Sequence, residues 1–188
     1  MTPMIAGLVL FFAAHILTTL RTVRATVVGR LGEGPYKGLY SLVSLAGLVV
    51  IVWGFGRYRS GGYISVWDPP AWLHPIALVL MWFSFVALAA AYSPAGKIKG
   101  VLRHPMLAGV KAWALAHLLV NGDLGSMILF AAFLAWAVYD RIAVKRRGDS
   151  GAPPSGFTAG DAIALAVGSG ACAAMVWLHP LIIGVPIT

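Results

Sequence analysis

Five histidines are the residues of this sequence best suited to chemistry, and two of them interrupt apolar stretches. His15 is followed by Thr18, Thr19 and Thr22, which share its face if the stretch is one helix. His117 lies one turn after Trp113. Ionisable side chains inside membranes are costly and usually face an interior. Each imidazole therefore either forms a hydrogen bond between helices or, as a pair from one bundle, holds a haem iron.

The tripeptide Arg103-His104-Pro105 opens a third candidate site. Proline suits the first turn of a helix, and a helix N-terminus attracts anions. Arg103 and His104 either bind an anionic head group or anchor the helix at the interface. Thirteen residues separate His104 from His117, about 20 Å along a helix, so the two cannot share one iron.

Lys111, His74 and His179 complete the set of ionisable candidates. Lys111 lies in the apolar run between His104 and His117, where a lysine snorkels or pairs with a carboxylate. Asp140 and a haem propionate are both suitable partners. His74 and His179 each precede a proline near the end of an apolar run. Capping or interfacial roles are expected for them, although either could replace a proposed ligand.

Long apolar runs must position these residues. Hydrophobic residues make up 60% of the chain and charged residues 11%, whereas soluble domains carry about 25% charged residues. About 20 apolar residues cross a bilayer. The sequence predicts an all-α, polytopic transmembrane bundle of about six helices. The predicted spans are Pro3 to Leu20, Tyr36 to Phe55, Trp72 to Tyr92, Pro105 to Val120, Leu124 to Ala143, and Asp161 to Ile183.

One domain over residues 1–188 is expected. It would comprise a five-helix main bundle at 1–147, a flexible linker at 148–160 and a C-terminal helix at 161–188. That last helix has small residues at every fourth position, at Ala162, Ala166, Gly170 and Ala174, which predicts its packing face. The first apolar run has no preceding basic segment, and we expect it to be retained as a helix.

The net charge of +8 comes from cations between the apolar runs. Three alternate loops hold eleven of the Lys and Arg residues, so the positive-inside rule predicts both termini outside the cytoplasm. Anionic lipid explains this charge without nucleic acid. The single cysteine, Cys172, excludes an internal disulfide and a cysteine-rich zinc site.

Three segments resemble one family of bacterial membrane proteins. They are GKIKGVLRHPMLAGVKAWALAHLLVNGDLGSMILFAAFLAWAVYDRIAVKRR, LYSLVSLAGLVVIVWGFGRYR and WDPPAWLHP. The resemblance is to the NnrU family and extends over nearly the whole chain. It implies residence in the bacterial inner membrane, where the termini predicted from the basic loops would be periplasmic, and an association with denitrification and nitric oxide metabolism.

The family is in turn related to zeta-carotene isomerase, a membrane protein with haem b. That relation implies haem b ligated by His15 and His117. His117 matches the histidine of the isomerase WCLAH motif, which reads Trp113-Ala114-Leu115-Ala116-His117 here. Ala114 replaces a cysteine that is an alternative iron ligand in the isomerase, and this departure argues against carotene isomerisation.

Four hypotheses follow, and only some of them make the chain an enzyme. The first is a bis-histidine haem b protein, with Arg21, Arg24 and Lys111 as propionate partners and nitric oxide as a possible ligand. The second is a haem-dependent isomerase of a polyene or lipid. The third is a non-enzymatic assembly factor that contacts denitrification reductase subunits. The fourth is a methyltransferase using S-adenosylmethionine, because Arg-His-Pro also occurs in isoprenylcysteine-type enzymes.

Overall fold

The computed structural model of the protein describes residues 1–153, 155–185 and 187. Over these residues the chain is helical apart from loops and one isolated bridge between Ser65 and Asp123. The helices, in chain order, are α1 (Thr2–Thr19), α2 (Arg21–Leu31), α3 (Glu33–Ser60), α4 (Leu73–Tyr92), α5 (Lys97–Leu102), α6 (Pro105–Val120), α7 (Leu124–Arg146) and α8 (Ala159–Ile182).

Five of these helices, α1, α3, α4, α7 and α8, are long and apolar enough to cross a membrane. The predicted fold class, a polytopic helical bundle, is therefore confirmed. All six predicted spans are helices with nearly the expected ends. The predicted span that is not among the five long helices, α6, is apolar but has only 16 residues. Its length of about 24 Å is less than the thickness of the hydrocarbon core, about 30 Å.

Two helices, α2 and α5, lie where the sequence suggested basic loops. Leu20 separates α1 from α2 with a ψ of 84°, so the chain turns before the basic residues begin. Gly96, in an extended conformation, precedes α5. Both helices are short, and neither carries the long apolar run by which the six spans were recognised.

The chain divides into two compact units, and α1 packs on α3 in the first of them. Unit 1 comprises residues 1–66 and 123–132. The two helices approach closely at glycines: a Cβ on Gly7 would lie 2.6 Å from the Ile51 nitrogen, and one on Gly47 would lie 2.8 Å from the Phe11 nitrogen. The absence of side chains at these positions allows backbone-to-backbone contact.

Unit 2 comprises residues 67–122 and 133–188, and in it α4 packs against both α6 and α8. The Ser84 hydroxyl in α4 donates to the Gly109 carbonyl in α6 at 2.9 Å. On the other side, a Cβ on Gly168 of α8 would lie 2.5 Å from the Val86 Cα. Both neighbours of α4 therefore approach it through a glycine.

The packing face of α8 differs from the predicted one. Ala164 and Gly168 are buried, together with Asp161, whereas the small-residue stripe at every fourth position is exposed. The prediction on that stripe was wrong because Asp161 sets the rotation of the helix. The Asp161 carboxylate accepts from the backbone nitrogens of Lys97, Ile98 and Thr158 at 2.7–2.9 Å. It therefore joins the start of α8 to the start of α5.

Candidate functional site

His15 lies one turn before the C-terminal end of α1 in unit 1, half-buried beside aromatic rings. Its Nδ1 is 2.7 Å from the Phe11 carbonyl oxygen. The Phe11 ring stacks on the imidazole at 4.0 Å, and the Tyr40 ring of α3 lies 5.3 Å away. Since a carbonyl oxygen only accepts, Nδ1 donates the proton, and the lone pair of the neutral ring is on Nε2. In metal-binding proteins, a hydrogen bond of this kind orients the ligating histidine.

His117 in α6 of unit 2 repeats this arrangement with different partners. Its Nδ1 lies 2.8 Å from the Trp113 carbonyl oxygen. The Trp113 ring is 5.3 Å from the imidazole and stands edge-on to Phe133. Asn121 donates from its side chain to the His117 carbonyl at 2.8 Å. The lone pair of a neutral His117 is therefore also on Nε2.

The threonines around His15 are directed to the backbone of their own helix. The Thr18 hydroxyl donates to the His15 carbonyl at 2.6 Å, and the Thr19 hydroxyl donates to Ile16 at 2.7 Å. Thr22 belongs to α2 rather than α1. The predicted polar stripe thus ends at Thr19, and the two hydroxyls stabilise the last turn of α1 through local hydrogen bonds.

His74 and His179 have surroundings different from those of His15 and His117. His74 is exposed in the first turn of α4, with Nδ1 3.1 Å from the Ala71 carbonyl. His179 lies in the last turn of α8, with Nδ1 2.6 Å from the Val185 carbonyl. Both imidazoles bond to a backbone carbonyl outside their own helix, and the capping or interfacial roles expected for them stay predictions.

Arg103 and His104 form a tight turn between α5 and α6. The His104 N–H donates to the Leu102 carbonyl at 2.6 Å, and Arg103 has φ 63° and ψ −50°. This is a γ-turn of the strained kind. The Ala152 N–H donates to the Arg103 carbonyl at 2.9 Å, and Gly151 packs on the His104 ring. Part of the predicted flexible linker therefore covers this turn, and the anionic head-group site stays a prediction.

The three cations expected to bind propionates are distributed over both units. Arg21 and Arg24 are exposed on α2 in unit 1. Lys111 is half-buried in α6 and makes no hydrogen bond or ion pair with any described residue. Six residues separate Lys111 from His117, about 9 Å along the helix and about 120° around it. Because Lys111 makes no ion pair with a described residue, Asp140 is not its partner in this structure.

A set of residues that the sequence analysis missed lies on α3. Tyr36, Tyr40 and Ser44 recur at every fourth position, so they share one face of that helix, and Tyr40 contacts His15. The hydroxyl oxygens of Tyr36 and Ser44 are buried and have no hydrogen-bond partner among the described residues. The signal was a polar stripe within an apolar run, the same signal that drew attention to His15.

The residues present fit a haem better than a simple metal ion. Among the described residues, no three His, Cys, Asp or Glu side chains converge as a metal-binding group. Haem iron needs only axial ligands from the protein. Two histidines on apolar helices, each with Nδ1 bonded to a carbonyl, provide that chemistry. His15 lies in unit 1 and His117 in unit 2.

Comparison with known proteins places the chain in a family. A search of curated proteins and of solved structures finds no match. The family model described as NnrU protein matches residues 3–187, which is nearly the entire chain. The sequence resemblance is thereby confirmed, and the chain belongs to the NnrU family.

Proposed function

We propose that this protein binds haem b in the bacterial inner membrane, with His15 and His117 as the axial ligands, and that it supports nitric oxide or nitrite metabolism. The supporting observation is the matched state of the two imidazoles. Each lies within an apolar helix beside aromatic rings, and each bonds through Nδ1 to the carbonyl four residues earlier. This bond raises the basicity of the opposite nitrogen and fixes the ring.

The protein would orient the haem, exclude water from it and neutralise the charge of its propionates. When bound, haem would supply electron transfer or the binding of nitric oxide. Phe11 and Tyr40 flank the His15 ring, and Trp113 flanks His117. Lys111, which lacks a partner among the described residues, is a cation available to a propionate. Arg21 and Arg24 are the cations on α2.

The proposed topology places the basic segments, including α2 and α5, in the cytoplasm and both termini in the periplasm. Lys and Arg dominate these segments, as the positive-inside rule requires. This orientation needs α6 to cross the membrane despite its 16 residues. A reporter fused after residue 188 that proved cytoplasmic would remove one crossing, and α6 is the helix it would remove.

Two substitutions test the haem assignment directly. His15→Ala and His117→Ala should each lose at least about 90% of the haem, because a bis-histidine site loses half of its protein ligands. The measurement is the absorption spectrum of detergent-purified protein, oxidised and dithionite-reduced, with a pyridine haemochrome assay. The wild type should show a Soret band and sharp reduced α and β bands.

His74→Ala is the matched control, since His74 is exposed at a helix start. It should retain haem at the wild-type level. Full haem occupancy in both His15→Ala and His117→Ala would overturn the ligand assignment. Colourless wild-type protein from haem-supplemented cells would reject haem binding and favour the assembly-factor hypothesis.

A further inference from the structure

The contact between α1 and α3 changes character along its length. At one end Gly47, Ile51 and Gly54 of α3 meet the backbone of α1. The same face of α3 continues, at helical spacing, through Ser44 and Tyr40. The contact of Gly47 with Phe11 sets an antiparallel register, which places Ser44 within about one turn of His15. The packing face becomes polar where His15 lies.

Tyr36 is the last member of this polar face, one turn before Tyr40. Its side chain is 6% exposed, and its hydroxyl has no hydrogen-bond partner among the described residues. Tyr58, further along α3, is equally buried, but its hydroxyl accepts from the Ile64 N–H at 2.9 Å. Buried hydroxyls almost always have a hydrogen-bond partner, so we expect a bound molecule to provide the partner that Tyr36 lacks among the described residues.

Arg24 indicates the charge of that molecule. Its guanidinium carbon lies 5.5 Å from the centroid of the Tyr36 ring, a cation–π distance. The contact holds a positive charge beside a donor hydroxyl. A hydroxyl and a guanidinium together suit an anionic oxygen, since hydrogen bonds to charged groups are the strong ones. Glu33, the nearest acid in sequence, is paired with Lys37 at 2.9 Å.

Either a lipid phosphate or a carboxylate of a bound cofactor could supply the anionic oxygen. The position of Tyr36 favours the cofactor. Tyr36 is about 6 Å along α3 from Tyr40, and the Tyr40 ring contacts His15 at 5.3 Å. A molecule bound at His15 and extending along this face reaches Tyr36 next. Lipid head groups would contact Arg24 from solvent, but they would not account for a buried hydroxyl.

We infer that Tyr36, assisted by Arg24, binds a carboxylate of the molecule whose iron His15 ligates. This inference rests on the proposed function and adds a positioning residue to it. The Tyr36 hydroxyl donates a hydrogen bond to the carboxylate, and the Arg24 guanidinium neutralises its charge. Together these two residues would position the bound molecule relative to His15.

Haem b and its dimethyl ester, in which both carboxylates are blocked, provide the test. Purified apoprotein is loaded with each, and transfer to excess apomyoglobin gives the rate of haem loss. The wild type should lose the ester about tenfold faster than haem b, since one charged hydrogen bond is at stake. Tyr36→Phe, which removes only the hydroxyl, should lose haem b faster than the wild type does and the ester at the wild-type rate, so that the tenfold difference narrows.

Ser126→Ala is the matched control, because Ser126 also has a buried hydroxyl without a partner among the described residues. Its neighbour Gly125 packs on Tyr58, about 27 Å along α3 from Tyr40. This variant should keep the tenfold difference. Arg24→Gln, at an exposed position, is a second variant and should reduce the difference.

The outcomes separate this inference from the proposed function. Equal retention of haem b and the ester by the wild type overturns the inference alone. A tenfold difference between the two loss rates that persists in Tyr36→Phe also overturns the inference alone. The same holds if Tyr36→Phe accelerates the loss of haem b and of the ester by the same factor. Failure of the wild type to take up either molecule removes the proposed function and this inference with it.

Discussion

The buried side-chain oxygens of the two units are used in different ways, although one buried nitrogen of unit 2, the His104 Nε2, also has no hydrogen-bond partner among the described residues. In unit 2, Ser84 bonds α4 to α6, and Asp161 bonds α8 to α5. In unit 1, the buried hydroxyls of Tyr36, Ser44 and Ser126 have no partner among the described residues. Its helices α1 and α3 are joined instead by glycine-mediated backbone contact.

This difference separates polar groups that hold the fold from hydroxyls that contribute no hydrogen bond to it, and Tyr36 is the one of these hydroxyls that we propose contacts a ligand. Removing a paired buried group leaves its partner unsatisfied, which costs free energy of unfolding. Removing an unpaired hydroxyl costs little. The comparison therefore predicts which substitutions destabilise the apoprotein and which affect only the bound form.

The largest effect is expected at Asp161 in unit 2. Asp161→Ala leaves three backbone N–H groups without their acceptor, and each unsatisfied buried group costs about 1–3 kcal/mol. Because these N–H groups are only partly buried, the free energy of unfolding should fall by about 3 kcal/mol and not by the full sum. Thermal unfolding in detergent measures the loss, and limited proteolysis at residues 148–160 should accelerate as α8 detaches.

Asp161→Asn is the isosteric variant and should lose less, because the amide retains one acceptor oxygen. Asp68→Ala, at an exposed position, serves as the control and should be neutral. If Asp161→Ala unfolds at the wild-type temperature, the carboxylate does not hold α8, and the comparison between the units fails.

The next largest effect is expected at the glycine contact of unit 1. A Cβ on Gly54 would lie 2.7 Å from the Met4 Cα, whereas a Cβ on Gly56 meets nothing within 4 Å. Gly54→Ala should reduce the free energy of unfolding by about 1–3 kcal/mol through overpacking. Gly56→Ala should be neutral or stabilising, because alanine favours the helix.

The thermal stability of both variants is measured by fluorescence-detected size-exclusion chromatography after heating. Equal behaviour of Gly54→Ala and Gly56→Ala would show that α1 and α3 are not held by backbone contact. The two positions are in the same helix and receive the same added methyl group, so helix propensity cannot explain a difference between them.

The sequence predicted the long helices well because the length of an apolar run is a local property. It missed α2 and α5, which are short and have no apolar run. It also assigned the wrong face of α8, since the rotation of that helix depends on Asp161 reaching Lys97 and Ile98. Such a contact, 63 residues apart or more, leaves no trace in local periodicity.

The sequence identified the histidines of the candidate site by their residue type, but it could not predict the environment of their side chains. His15 and His117 were evident as ionisable residues in apolar runs. The orientation of each imidazole depends on its rotamer, and the rotamer depends on packing against Phe11 or Trp113. Tyr36 was missed because burial of its hydroxyl is a tertiary property.

The smallest predicted effect is the sharpest test of the comparison, because it uses the same substitution in both units. Ser84→Ala removes the hydrogen bond to Gly109 and should cost about 0.6–1.7 kcal/mol, the range for bonds between membrane helices. Ser44→Ala removes a hydroxyl without a described partner and should leave the apoprotein's unfolding temperature unchanged. Thermal unfolding of the two apoproteins in one detergent gives the difference. Equal losses would mean that the Ser44 hydroxyl contributes to the fold, and that unit 1 does not reserve its polar face for a ligand.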